Sequence, residues 1–241
     1  MSNSTTHTLD ESLYEHLKAI RSQLPVSVRL IAVTKTVPAD IIRIAYAAGI
    51  RDFGENRIQE AATKQAQLHD LPDITWHLIG HLQSNKAKKA LELFQWIHSV
   101  DNLKLAQRLN QLAGELNLKP NICLQVKILP DPNKSGWTIP QLSDDLPALN
   151  HCKNLQYQGL MTIAPFGLNE SQTLDVFNGT RELAVEIKSQ NWSNIQMQQL
   201  SMGMSGDYQL AIEAGATMVR LGTILFGERL RSRISDYQEP G

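Results

Sequence analysis

The chain has 241 residues, enough for one large domain or two small ones. Hydrophobic residues make up 42% and charged residues 20%, a mix that supports an ordinary core and excludes a disordered chain. With 23 Lys and Arg against 24 Asp and Glu the formal charge is −1, which excludes the basic field that a general grip on nucleic acid requires. In chain order, a helix is predicted over about 9–23, after which short apolar runs alternate with helical patterns. Strands are predicted at 28–34, 51–54, 75–79, 96–100, 122–128, 156–161, 196–200 and 217–221, each ending in a polar or Gly-containing turn. Helices are predicted over 38–48, 56–69, 85–93, 102–117, 140–150, 171–190 and 205–215, with a short one over about 224–231 after the last strand. Pro38 and Pro140 stand where first helical turns begin, and Asp101 and Asn169 or Ser171 are predicted caps. Strands alternating with helices predict a parallel sheet. At about 250 residues a closed eight-stranded (β/α)8 barrel is the natural solution, in preference to an open doubly wound sheet. No Gly- or Ser-rich linker divides the chain, so residues 1–241 are read as a single barrel domain with an extra N-terminal helix.

Cys123 and Cys152 fit a reduced protein better than a disulfide scaffold. Met1 to Asp10 is polar, with no apolar core of a signal peptide, and no stretch reaches the roughly 18 apolar residues of a membrane span. A cytoplasmic protein without a membrane partner is expected.

Chemistry in such barrels gathers at the carboxyl ends of the strands. Lys35 directly follows the first predicted strand and shares a face with Ile31 and Val33. If that face points inward, Lys35 is an amine at the rim of an apolar interior, where desolvation favours the neutral nucleophile. After the seventh strand comes Ser201-Met202-Gly203-Met204-Ser205-Gly206-Asp207, and after the eighth comes Gly222-Thr223 at a helix start. Glycine-rich turns at these two strands suit a phosphate, because backbone N–H groups and a helix dipole can approach the anion. Arg220 alternates with apolar Val219 and Leu221 and is therefore expected to point inward, where it needs a partner. Asn56 can reach the barrel mouth, Lys134 is a second amine near the same rim, and Met161 ends the sixth strand. His77 lies mid-strand and His81 in the next loop, so their spacing of four is not the helical metal-binding spacing, and no metal site is expected. The run Asn85 to Lys89 reads as a solvated helix face. A nucleophilic lysine beside a phosphate cradle fits pyridoxal 5′-phosphate (PLP) or a sugar phosphate held by a Schiff-base aldolase, and spacing alone does not separate the two.

The segments AVTKT (32–36), FGENRIQE (53–60), WHLIGHLQSNK (76–86), GLMTIAP (159–165), LSMGMSGD (200–207) and RLGTILFGER (220–229), in this order, closely resemble the PLP homeostasis protein family. The resemblance implies a barrel of the alanine racemase N-terminal-domain type (PLP fold type III) and PLP bound as an imine to Lys35. It further implies phosphate held by Ser201 and by backbone around Gly203, Gly222 and Thr223, Arg220 near the pyridine nitrogen, and Asn56 in the ring pocket. The implied role is to buffer and deliver PLP, with apo-PLP enzymes as recipients, acting as a monomer and without substantial turnover. The alternative is a fold-type III amino-acid racemase. Such enzymes carry a further β-domain, whereas 14 residues follow Gly227 here, so the binding protein is the expected class.

Overall fold

The computed structural model describes residues 3–131 and 134–227, with side chains from Asp10 onward. Its elements run α1 (Asn3–Gln23), β1 (Arg29–Val33), α2 (Ala39–Ala47), β2 (Asp52–Glu55), α3 (Ile58–Gln67), β3 (Thr75–Leu78), a 3-10 turn (Ser84–Lys86), α4 (Ala87–Leu93), β4 (Trp96–Val100), α5 (Leu103–Glu115), β5 (Asn121–Gln125), α6 (Ile139–Asn150), β6 (Gln156–Met161), α7 (Glu170–Ser189), β7 (Ile195–Ser201), α8 (Tyr208–Glu213) and β8 (Met218–Leu221). All eight predicted strands are present and pair in sequence order into a closed barrel. The ring closes where β1 pairs in parallel with β8, Ile31 opposite Arg220. Backbone over 223–227 is helical; the rest of the helix predicted to 231 lies outside the described residues. No helix among the described residues is long and apolar enough to cross a membrane.

Side-chain caps account for the starts of three helices. Asn169 caps α7 and Thr138 caps α6, each in a reciprocal capping box. Asn102, not Asp101, caps α5 by accepting from the Leu105 N–H, while Asp101 accepts from the Asn102 amide. Gly159 is required where β6 and β7 approach. A Cβ there would fall 1.7 Å from the Gln199 carbonyl oxygen, beside a register shift in which Met197 takes φ 51°.

Strand alternation sorts the core into two layers. Leu30, Ala32, Phe53, Leu78, Ile97, Leu124, Leu160, Val219 and Leu221 face the helices and join the larger apolar cluster. Ile31, Trp96, Cys123, Met161 and Met218 fill the barrel interior. The interior also holds His77, His98, Ser201 and Arg220, all at most 4% exposed, so it is a mixed apolar and polar core.

Candidate functional site

The carboxyl end of β1 is held by buried charge. Lys64 on α3 donates from Nζ to the Thr34 carbonyl (2.6 Å), Glu55 Oε1 (2.7 Å) and Glu60 Oε1 (2.6 Å). The Thr34 hydroxyl donates to Glu55 Oε1 at 2.5 Å, and the Thr36 N–H donates to Glu60 Oε1 at 2.6 Å. Thr36 has φ 62°, a left-handed backbone that a β-branched residue adopts only when its surroundings enforce it. Lys35 is thereby gripped through the backbone on both sides. Burial pushes the Glu55 carboxyl up, against the Lys64 ammonium and the Lys64 and Thr34 hydrogen bonds.

Asn56 follows β2 and stays outside α3, which starts at Ile58. Gly80, after β3, lies against it: a Cβ there would fall 2.3 Å from the Asn56 carbonyl oxygen. In the loop after β7, Gly203 takes φ 91°, and a Cβ would fall 2.6 Å from the Ala211 methyl, so only glycine lets this loop pack on α8. Asp207 Oδ1 accepts from the Met204 N–H at 2.6 Å and closes the loop. The Gly222 and Ile224 N–H groups both donate to the Ser205 hydroxyl oxygen, at 3.2 and 3.3 Å.

Arg220 is 4% exposed. It donates from Nη1 to Ser201 Oγ at 2.7 Å and from Nη2 to the Thr162 carbonyl at 2.9 Å. Burial lowers its pKa to about 10, with Asp207 and Cys123 opposing, and the guanidinium stays charged at neutral pH. It does not close the far end of the barrel with a carboxylate; its partners lie at the carboxyl ends of β6 and β7.

These groups converge on a cavity of about 300 Å³, at the small end of ligand pockets. Lys35, Asn56, Ser205, Gly206, Arg220, Gly222 and Thr223 supply its polar wall, and Val33, Ile79, Ile163 and Met204 its apolar wall. Of the residues expected in the site, Lys35, Asn56, Arg220, Gly222 and Thr223 line it together. Lys35 sits at an exposed rim rather than in a desolvated pocket, because β1 ends at Val33 and the chain has turned outward by Lys35. Ser201 and Gly203 lie beneath the cavity instead of in its wall. β7 runs through Ser201, whose fully buried side chain bonds inside the barrel, and Gly203 accepts the Arg220 N–H at its carbonyl. Ser205 was the loop's other hydroxyl, and alternation could not separate the two. Lys134 donates to the Ala164 carbonyl at 2.6 Å and lines an adjoining cleft that shares Met204 and Gly206 with the cavity. His77 is a core group bonded to Asp52 and His98, while His81 lies 3.4 Å from Asp101.

The profile of the alanine racemase N-terminal domain family matches residues 10–230. The PLP homeostasis protein of Synechocystis is 56% identical over 211 residues, 88% of this chain and 96% of that protein. Its counterpart in Pseudomonas aeruginosa is 47% identical over 210 residues, 85% of this chain and 86% of that protein. PipY of Synechococcus elongatus, solved with PLP bound, superposes with a TM-score of 0.85 at 54% identity, covering 89% of this chain and all of that one. Alanine racemase of Clostridium difficile shares the fold, with a TM-score of 0.76 at 14% identity, this chain matching 56% of its length. The chain belongs to the alanine racemase N-terminal domain family and, within it, to the PLP homeostasis proteins.

Proposed function

We propose that this chain binds PLP in the cavity at the carboxyl end of its barrel and serves PLP homeostasis, in keeping with relatives designated PLP homeostasis proteins and with PipY, solved with PLP bound. PLP supplies an aldehyde that condenses reversibly with a primary amine, together with a phosphate and a pyridine ring. The residues present fit each part. Lys35 Nζ, at the cavity rim, is the amine that would hold the aldehyde carbon. The Gly222 and Ile224 N–H groups, which share the Ser205 hydroxyl oxygen as acceptor, would turn to the phosphate, with Ser205 and Thr223 as further polar groups of the cradle. Apolar Val33, Ile79, Ile163 and Met204 flank the ring, with Asn56 at its edge. Arg220 places a permanent cation at the cavity floor, which disfavours a protonated pyridine and so weakens carbanion chemistry. Ser201 and Gly203 contribute from below, by holding Arg220 and the loop. The role is to hold, buffer and release PLP to apo-enzymes, as a cytoplasmic monomer whose residues 1–241 form one PLP-binding domain.

The observation that carries this reading is one cavity lined by a lysine and, at the carboxyl ends of β7 and β8, by Ser205, Gly222 and Thr223. Borohydride reduction of the PLP-loaded protein, followed by peptide mapping, tests it. The pyridoxyl mass is expected on Lys35 and absent from Lys35→Ala; label on Lys134 in the unmodified protein overturns the assignment. PLP is expected to pass to an added apo-enzyme, with deuterium exchange at Cα of L- and D-amino acids no faster than with free PLP. Faster exchange that is lost in Lys35→Ala establishes a racemase instead.

A further inference from the structure

We infer that Asp52, His77, His98 and Ser201 form a one-way hydrogen-bond relay through the barrel interior that holds Arg220 at the cavity floor, and are positioning residues for the PLP site. The inference rests on the reading of the cavity as that site. Asp52 opens β2 at the amino-terminal mouth, with Arg29 at 3.7 Å. His77 Nε2 lies 2.9 Å from Asp52 Oδ1, and His77 Nδ1 lies 2.9 Å from His98 Nε2. His98 Nδ1 lies 2.8 Å from Ser201 Oγ, which accepts from Arg220 at 2.7 Å. Five strands contribute, and the two imidazoles and Ser201 are fully buried.

Chemistry at the two ends fixes the direction. A carboxylate only accepts, so His77 carries its proton on Nε2. Burial pushes both imidazoles below their ordinary range, and for His98 the neighbouring His77, Arg220 and Arg29 push the same way. A neutral ring has one N–H, so His77 Nδ1 accepts and His98 Nε2 donates to it. His98 Nδ1 then accepts the Ser201 proton, which leaves the serine lone pairs facing Arg220. A guanidinium only donates, so the far end demands the same pattern. The reverse pattern sets a ring lone pair against the Asp52 carboxylate. Two ambivalent rings and a hydroxyl are thus poled between a donor-only cation and an acceptor-only anion, and the bonds strengthen one another along the line. The relay and the Thr162 carbonyl occupy two of the five guanidinium N–H groups and fix the side chain that lines the cavity.

Ring tautomers are read by long-range 1H–15N spectra of the 15N-labelled apo-protein, before any PLP is added. Both His77 and His98 are expected neutral with the proton on Nε2 at pH 7. Asp52→Leu removes the acceptor, and His98, two links away, is expected to shift toward Nδ1–H, with PLP binding about tenfold weaker by equilibrium dialysis. Asp52→Asn keeps an acceptor oxygen and is expected to restore the wild-type tautomers. A merely structural Asp52 would not move the His98 tautomer. If Asp52→Leu does not fold, Ser201→Ala tests the other end: His77 keeps Nε2–H while PLP binds about tenfold more weakly. A wild-type His98 protonated on Nδ1, a cationic ring at pH 7, or variants that leave both the tautomers and the affinity unchanged overturn the relay. A wild-type protein that takes up no PLP overturns the reading of the cavity, while the apo-protein tautomers still decide the relay.

Discussion

Lys64→Met probes the charge cluster that grips Lys35 through its backbone. The Lys64 side chain is 8% exposed and that of Glu55 fully buried, so removing the ammonium leaves a carboxylate in the core with no counter-charge beside it. Breaking such a pair from one side costs about 3–5 kcal/mol. Glu60 adds little to this figure, because its side chain is 26% exposed and water can take over its oxygens. Glu55 Oε2 has no hydrogen-bond partner already, so without Lys64 the buried carboxylate keeps only the neutral Thr34 hydroxyl on Oε1. The loss carries a pH signature. Burial raises the folded pKa of Glu55, and Lys64 supplies the two largest opposing effects. Without Lys64 the folded value climbs further above the unfolded value of about 4.3. A carboxyl raised in this way favours the folded state below its unfolded pKa, and the contribution is lost as pH rises through the folded one. Urea denaturation of the apo-protein is therefore expected to show the full loss at pH 8 and a smaller one at pH 5. Adding Glu55→Leu is expected to recover at least about half of it. A loss under about 1 kcal/mol at pH 8, or one independent of pH, refutes the argument.

Three further outcomes are expected. Ser205→Ala removes the hydroxyl that lines the cradle as a donor to the phosphate and weakens PLP retention by roughly 1.5–3 kcal/mol, measured by equilibrium dialysis; unchanged retention sinks the cradle. Cys123, its thiol pushed up to about 12 by burial, resists iodoacetamide at pH 8 in the folded protein and reacts after unfolding; labelling in the native state contradicts its place in the core. Gly159→Ala forces β6 off the Gln199 carbonyl and lowers Tm by about 6–12 °C or abolishes soluble expression; a melting curve that overlays the wild type removes the steric account of this strand pair.

The barrel was legible because apolar runs of strand length, broken by turns and separated by helical periods, leave few other architectures. Alternation along β8 gave the inward face of Arg220, and Lys35, Gly222 and Thr223 were legible by height alone, since each lies just beyond the carboxyl end of a strand. Ser201 shows the limit. Reading β7 as ending at Leu200 puts the next side chain in the loop, whereas one more paired residue turns it into the barrel. The His77–His98 contact depends on the register between β3 and β4, which pairs His77 with Trp96 and which no local pattern reveals. Lys64 and Glu55 were hidden most deeply. Charged residues at helical or strand spacing read as solvated faces, and only the close packing of α3 on the end of β1 turns them into core.

The pairing of β1 with β8 also sets when the binding site comes into being during synthesis. Val33 leaves the ribosome about 190 residues before Leu221, an interval of about 10–40 s at ordinary elongation rates. Throughout it, β1 offers an unpaired edge to any passing strand. Lys35 is made early and Arg220 late, so the nascent chain holds an amine with no cradle opposite it. Cofactor uptake is therefore a property of the finished ring, and a chain interrupted before Met218 presents two open sheet edges in place of a site.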